Sequence, residues 1–306
     1  MVGQETPRTA RGLIPDTAAP QHFRNFVAID WSGAAGERHA GIAVGLAQTG
    51  SAAPELVRPD HRWSRTEVLH WLLTELPADT LVGMDLGIAL PFADAGAFFP
   101  GWTDSPADAR ALWALVDCLC ADDPHLGVGP FVDHAEAAHH FRRHGGREGT
   151  RFGGGRGRFR QTERAQERMG CRPYSNFNLV GAAQVGKSSL TGMRMLHRIA
   201  GRIPVWPIDQ LPDQGSVLVE IYTTIAALEG GRTPGRSKMR EYAELNTALA
   251  ALDSAPLPLS GAVSDHQSDA LLTAAWLRRA ATRPALWHPA GLDDVRHTEG
   301  WTFGAT

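Results

Sequence analysis

Two short apolar runs that each stop on an aspartate constrain this 306-residue chain more than any other feature of it. Phe26-Val27-Ala28-Ile29-Asp30 leads into a glycine-containing turn, Trp31-Ser32-Gly33-Ala34-Ala35-Gly36, and Leu81-Val82-Gly83-Met84-Asp85 repeats the pattern. Apolar runs of this length, bounded by turn residues, read as strands buried on both faces. A carboxylate at the end of such a strand is costly to desolvate unless it is paired, hydrogen-bonded or set on a cation. Asp30 therefore reads as an active-site carboxylate rather than a solvated surface charge.

The rest of the pattern predicts an α/β fold. A second strand over residues 40–46 makes a hairpin with the first, a third lies near 55–58, and another covers 216–222. Ser64 and Glu67 are spaced as a capping box for a helix reaching about residue 76, and further helices are expected over 188–200, 238–252 and 264–281. Between them, residues 91–178 change character, with aromatic-rich loops and helices at 107–120 and 133–144. This stretch reads as an insertion in a single domain spanning 23–306, and 43% hydrophobic content suffices for one large core. Residues 1–22 lack the apolar segment of a signal peptide and read as a flexible leader. Three cysteines are too few for a disulfide framework, which points to the cytoplasm, and no run approaches the length needed to span a bilayer.

Acids recur where apolar elements meet turns or helix starts: Asp30, Asp85, Glu220, and the pair Asp265 and Asp269, which share a helix face. Singly, each has an ordinary reading as a turn former or cap, and Ser264 or Asp265 is suited to an N-cap. Together they suggest a shared hard cation such as Mg²⁺ or Mn²⁺, and two such ions can clamp an in-line phosphoryl displacement.

The segments Phe26-Val27-Ala28-Ile29-Asp30-Trp31-Ser32-Gly33, Val82-Gly83-Met84-Asp85, Val217-Leu218-Val219-Glu220 and Asp265-His266 with Asp269-Ala270 resemble the predicted-nuclease family called domain of unknown function 429. That resemblance implies a ribonuclease H-like fold, a mixed sheet with helices on both faces. It also implies a metal-dependent nuclease acting on DNA or RNA, with Asp30, Asp85, Glu220 and Asp269 as ligands. His266 is similar to the histidine of the His-x-x-Asp motif in junction-cleaving relatives, where an imidazole assists proton transfer. The chain departs from the family where a proline is usual close after the second and third acids: Leu86-Gly87 and Ile221-Tyr222-Thr223 stand there instead.

The net charge of −3 gives no global attraction to a polyanion, but the charge is unevenly spread. Residues 142–172 hold ten arginines against Glu148, Glu163 and Glu167. Their centre, with Arg151, Arg156, Arg158 and Arg160 among glycines and Phe152 and Phe159, predicts either a mobile clamp on nucleic-acid phosphates or a solvated connector. Residues 181–188 match the phosphate-loop pattern, with Gly181, Gly186, Lys187 and Ser188 at the specified positions, and offer a nucleotide site as an alternative. In a third reading Lys187 approaches a nucleic-acid phosphate beside the carboxylates, and in a fourth the chain binds nucleic acid without catalysis. Glu136, His140 and His144 share one face of the expected 133–144 helix, a spacing compatible with Zn²⁺.

Overall fold

The computed structural model describes residues 18–181 and 185–306. Six strands form one mixed sheet: β1 (Asn25–Asp30), β2 (Ala43–Gln48), β3 (Glu55–Leu56), β4 (Thr80–Met84), β5 (Val205–Trp206) and β6 (Val217–Glu220), in the order β3-β2-β1-β4-β6-β5. β1 to β3 form an antiparallel meander, whereas β1, β4, β6 and β5 run parallel. β5 stands at one edge between Pro204 and Pro207, an edge position where a missing N–H does no harm to the ladder. Its two residues were too short and too proline-flanked to read as a strand.

Helices cover both faces: α1 (Arg65–Thr74), α2 (Ala109–Leu119), the single turn α3 (Gly129–Val132), α4 (Gln161–Arg168), α5 (Val185–Ile199), α6 (Thr223–Glu229), α7 (Tyr242–Ala251) and α8 (Asp265–Ala280). Each central strand divides its side chains between two cores. Val27, Ile29, Val82, Met84 and Leu218 pack with α1, α2 and α5, while Phe26, Ala28, Leu81, Val217 and Val219 pack with α6, α7 and α8. The period of two thus holds within runs that are apolar throughout. The capping box forms as expected, Ser64 accepting from the Glu67 amide and Glu67 from that of Ser64.

The inserted stretch 91–178 packs into the domain: Phe98, Leu112, Trp113, Phe131 and Phe177 belong to the same core as Val27 and Ile29. Two expectations are corrected. The expected 133–144 helix is replaced by α3 and a 3-10 turn at Ala137–His140. Phe141 then turns extended: its carbonyl accepts from Gly149, and the next amide, of Arg142, donates to Phe177. Of the supposed leader, Ala19 is buried and His22 Nε2 bonds the Gly215 carbonyl at 2.9 Å, so 18–22 are docked; residues 1–17 lie outside those described. No helix among the described residues is long and apolar enough to cross a membrane.

Candidate functional site

The parallel pairing of β1 with β4 sets Ile29 beside Met84, and the Asp85 amide continues the ladder by donating to the Ile29 carbonyl at 3.0 Å. Asp30 and Asp85 thus end adjacent strands at the same level. The third acid comes from α8, whose backbone rests on the sheet because position 45 of β2 is glycine. A Cβ there would come within 2.5 Å of the Ala270 carbonyl oxygen. Ser264 caps α8 by accepting from the Gln267 amide, so the helix starts at a fixed residue and presents His266 and Asp269 toward the strand ends.

His266 Nδ1 lies 2.9 Å from Asp30 Oδ2, and the Lys238 ammonium donates to Asp269 Oδ2. Asp30 and Asp269 are nearly buried, whereas the Lys238 side chain is half exposed. Electrostatics ties the group together. Burial pushes the Asp269 carboxyl up to about 6, with Asp30 adding to the rise and Lys238 opposing it. Asp85 is held well above the usual carboxylate range by desolvation first, then by Asp30 and Asp269, again against Lys238. Burial alone would lower the Lys238 ammonium, but Asp269, Asp30 and Asp85 outweigh it and raise its pKa. The hydrogen bond to Asp30 likewise raises His266, although partial burial works against it.

Glu220, expected to complete the shell, lines one cavity with Asp85 and adds to the rise of its pKa, but its oxygens are taken up by other partners. Its register partner is Met84, the residue before Asp85. Glu220 binds the Arg160 guanidinium at 2.6 Å, accepts from the Ile88 amide at 2.8 Å and from the Thr302 hydroxyl, and is buried. Asp265 pairs with Arg240 at 3.4 Å and adds to the rise of the Asp269 pKa.

Lys238 was missed as a site residue. A signal existed: it and Lys187 are the only lysines in a chain with 28 arginines.

The arginine segment is folded rather than loose. Arg160 is fully buried between Glu163 and Glu220, and Arg158 bonds Asp94 and the carbonyls of Pro91, Ala97 and Phe98. Arg156 is held by Glu167 and the Pro173 carbonyl, and Arg151 by the Pro100 carbonyl. Phe159 is buried, with Arg156 and Arg164 over its ring. Guanidiniums with several fixed acceptors act here as rivets between the segment and its surroundings.

The phosphate-loop reading lacks its structural frame. No strand leads into residues 181–188; Gly186, Lys187 and Ser188 already belong to the first turn of α5, and 182–184 lie outside the described residues. Lys187 lines one cavity, with His144, and Ser188 a different one, of about 150 Å³, with Asp85. The zinc reading fails with its helix: His140 is buried against Phe99 and Phe177, both ring nitrogens unbonded.

The donor set Asp30, Asp85 and Asp269 is oxygen-only, the type that suits Mg²⁺ or Mn²⁺, and it already holds one cation in the Lys238 ammonium. No group of three or more His, Cys, Asp or Glu side chains among the described residues is arranged to hold a metal ion. Comparisons with family models, curated proteins and solved structures return no match to the chain.

Proposed function

We propose that this chain is a divalent-metal-dependent phosphodiesterase of ribonuclease H-like fold that acts on nucleic acid. The observation that carries the reading is the meeting of Asp30, Asp85 and Asp269, from two adjacent strand ends and a late helix, around one half-exposed lysine. The order β3-β2-β1-β4-β6-β5, antiparallel on one side of β1 and parallel on the other, supports the fold assignment.

Asp30, Asp85 and Asp269 would hold Mg²⁺ or Mn²⁺, which supplies Lewis-acid polarisation of the phosphoryl group and a readily ionised bound water. The residues of the chain do the rest. Lys238 balances the three carboxylates and, being half exposed, yields its place to a stronger cation without repacking the core. Asp30 fixes the His266 ring through Nδ1 and holds its proton more firmly than in free imidazole. Nε2 has no hydrogen bond among the described residues, so it can hand a proton to the alkoxide that leaves when water oxygen bonds phosphorus and the P–O ester bond breaks.

The test is cleavage of labelled single- and double-stranded DNA and RNA with Mg²⁺ or Mn²⁺. Asp30→Asn keeps the shape and removes the charge, so cleavage should fall by about 10²-fold or more while circular dichroism stays unchanged, given that even groups supporting a metal's ligands are worth 10–100-fold. Full activity in Asp30→Asn, or a wild-type protein that cleaves none of the panel, would sink the assignment.

A further inference from the structure

The second lysine stands in a different cavity. About 400 Å³ in volume, it lies between the 33–36 loop, the first turn of α5 and the segments 123–133 and 143–147. A pocket of this size takes a small organic ligand rather than a bare ion. Its cations are incompletely matched. Lys187 has no carboxylate partner among the described residues; its Nζ faces His144 Nε2 at 3.3 Å, two groups that both bind protons and do not neutralise each other. Arg143 and Arg147 share one acid, Asp133, at 2.8 and 3.7 Å, and the Arg143 Nε–H is buried without a partner. Arg65 and Asp123, also on the lining, cancel in charge.

Lys187, Arg143 and Arg147 against Asp133 leave a surplus of two positive charges, which matches the roughly −1.5 to −2 of a phosphomonoester at neutral pH. Apolar side chains, those of Pro124, Val128, Val132 and Leu179, line the same cavity. Cations and apolar side chains in one cavity call for a ligand that joins a phosphate to a flat, weakly polar body. We propose that this cavity is a binding site for a nucleoside monophosphate group, either free or as the 5′-phosphorylated terminus of a strand, with Lys187 and Arg143 on the phosphate. The site is separate from the carboxylate centre: its lining includes none of Asp30, Asp85 and Asp269.

The experiment is titration calorimetry on the full chain without divalent metal, with 5′-AMP, adenosine and inorganic phosphate as probes. The expected result is AMP binding with Kd below about 1 mM, no binding of adenosine, and phosphate competing more weakly than AMP. Lys187→Gln and Arg143→Gln should each weaken AMP about tenfold or more, in line with loss of a charge-assisted contact, at unchanged circular dichroism. Asp30→Asn should bind AMP like the wild type, so the site is tested whatever the fate of the cleavage assay. A 5′-phosphorylated oligonucleotide that displaces AMP while its 5′-hydroxyl counterpart does not identifies a strand end as the natural source; displacement by neither identifies the free nucleotide. The proposal is overturned if AMP does not bind the wild type, if adenosine binds equally well, or if folded Lys187→Gln binds AMP with undiminished affinity.

Discussion

Lys238 lies in the irregular stretch between α6 and α7, yet its ammonium reaches the nearly buried Asp269. An aspartate with its pKa near 6 would be half neutral around that pH, and each positive charge nearby keeps it ionised. Removing the lysine leaves Asp269 and Asp85 without their countercharge and only His266, on Asp30, to offset the cluster. Lys238→Met should therefore lower stability modestly, by about 1 kcal/mol because the exposed head is screened by water. The informative measurement is thermal unfolding with and without Mg²⁺. The ion should raise the melting temperature of Lys238→Met more than that of wild type, since it no longer competes with an internal cation. Equal shifts in the two proteins would show that Lys238 does not occupy the ion's position.

At the scale of elements, the partners gathered at the end of β6 decide what Glu220 does. Its carboxylate and that of Glu163 flank Arg160 in full burial, where removing one partner of an ion pair costs far more than the pair contributes. Glu220→Ala should destabilise the protein by about 3–5 kcal/mol, read as a shift of the urea midpoint, while the fraction that folds keeps its response to Mg²⁺. Undiminished stability together with a lost metal response would instead make Glu220 a ligand. These partners also explain what could be read in advance. Asp30 and Asp85 were legible because each ends an apolar run, and Asp269 because the spacing on α8 is helical. The groups that take up the Glu220 carboxylate, Arg160, Ile88 and Thr302, come from distant parts of the chain, and no local pattern encodes them. The same holds for residues 133–144, whose helical spacing loses to extended pairing of Phe141 and Arg142 with distant partners. The arginine segment misled for a related reason: a Gly- and Arg-rich composition describes a solvated loop and a riveted one equally well, and the acceptors that decide between them, Asp94, Glu220 and the 91–100 carbonyls, lie far away in sequence.

For the molecule as a whole, the two cores on either side of the sheet carry the stability, and one of them contains an ionisable group. His140 is enclosed by Phe99 and Phe177, and burial, with Arg158 and Arg151 adding repulsion, lowers its pKa to about 4. The unfolded chain takes up a proton near pH 6.5 that the folded one refuses until about pH 4, so stability is lost as pH falls through that window. At 1.36 kcal/mol per pKa unit the loss attributable to this residue approaches 3 kcal/mol at most. Denaturation of His140→Leu beside wild type between pH 7 and 4 checks this: the variant should show a shallower decline, and parallel curves would exclude His140 as the cause.

The first turn of α5 has one more implication. Gly33 lets this turn pack directly under the loop that follows Asp30, since a Cβ there would meet Ser188 N at 2.3 Å. Peptide-bonded neighbours thereby face separate cavities, Lys187 the cationic one and Ser188 the one beside Asp85. A ligand that shifts this turn in one cavity reshapes the wall of the other, and by linkage any change in affinity it causes there is returned in equal proportion to its own. The glycine that permits close packing thus sets the two cavities back to back across a single turn of helix.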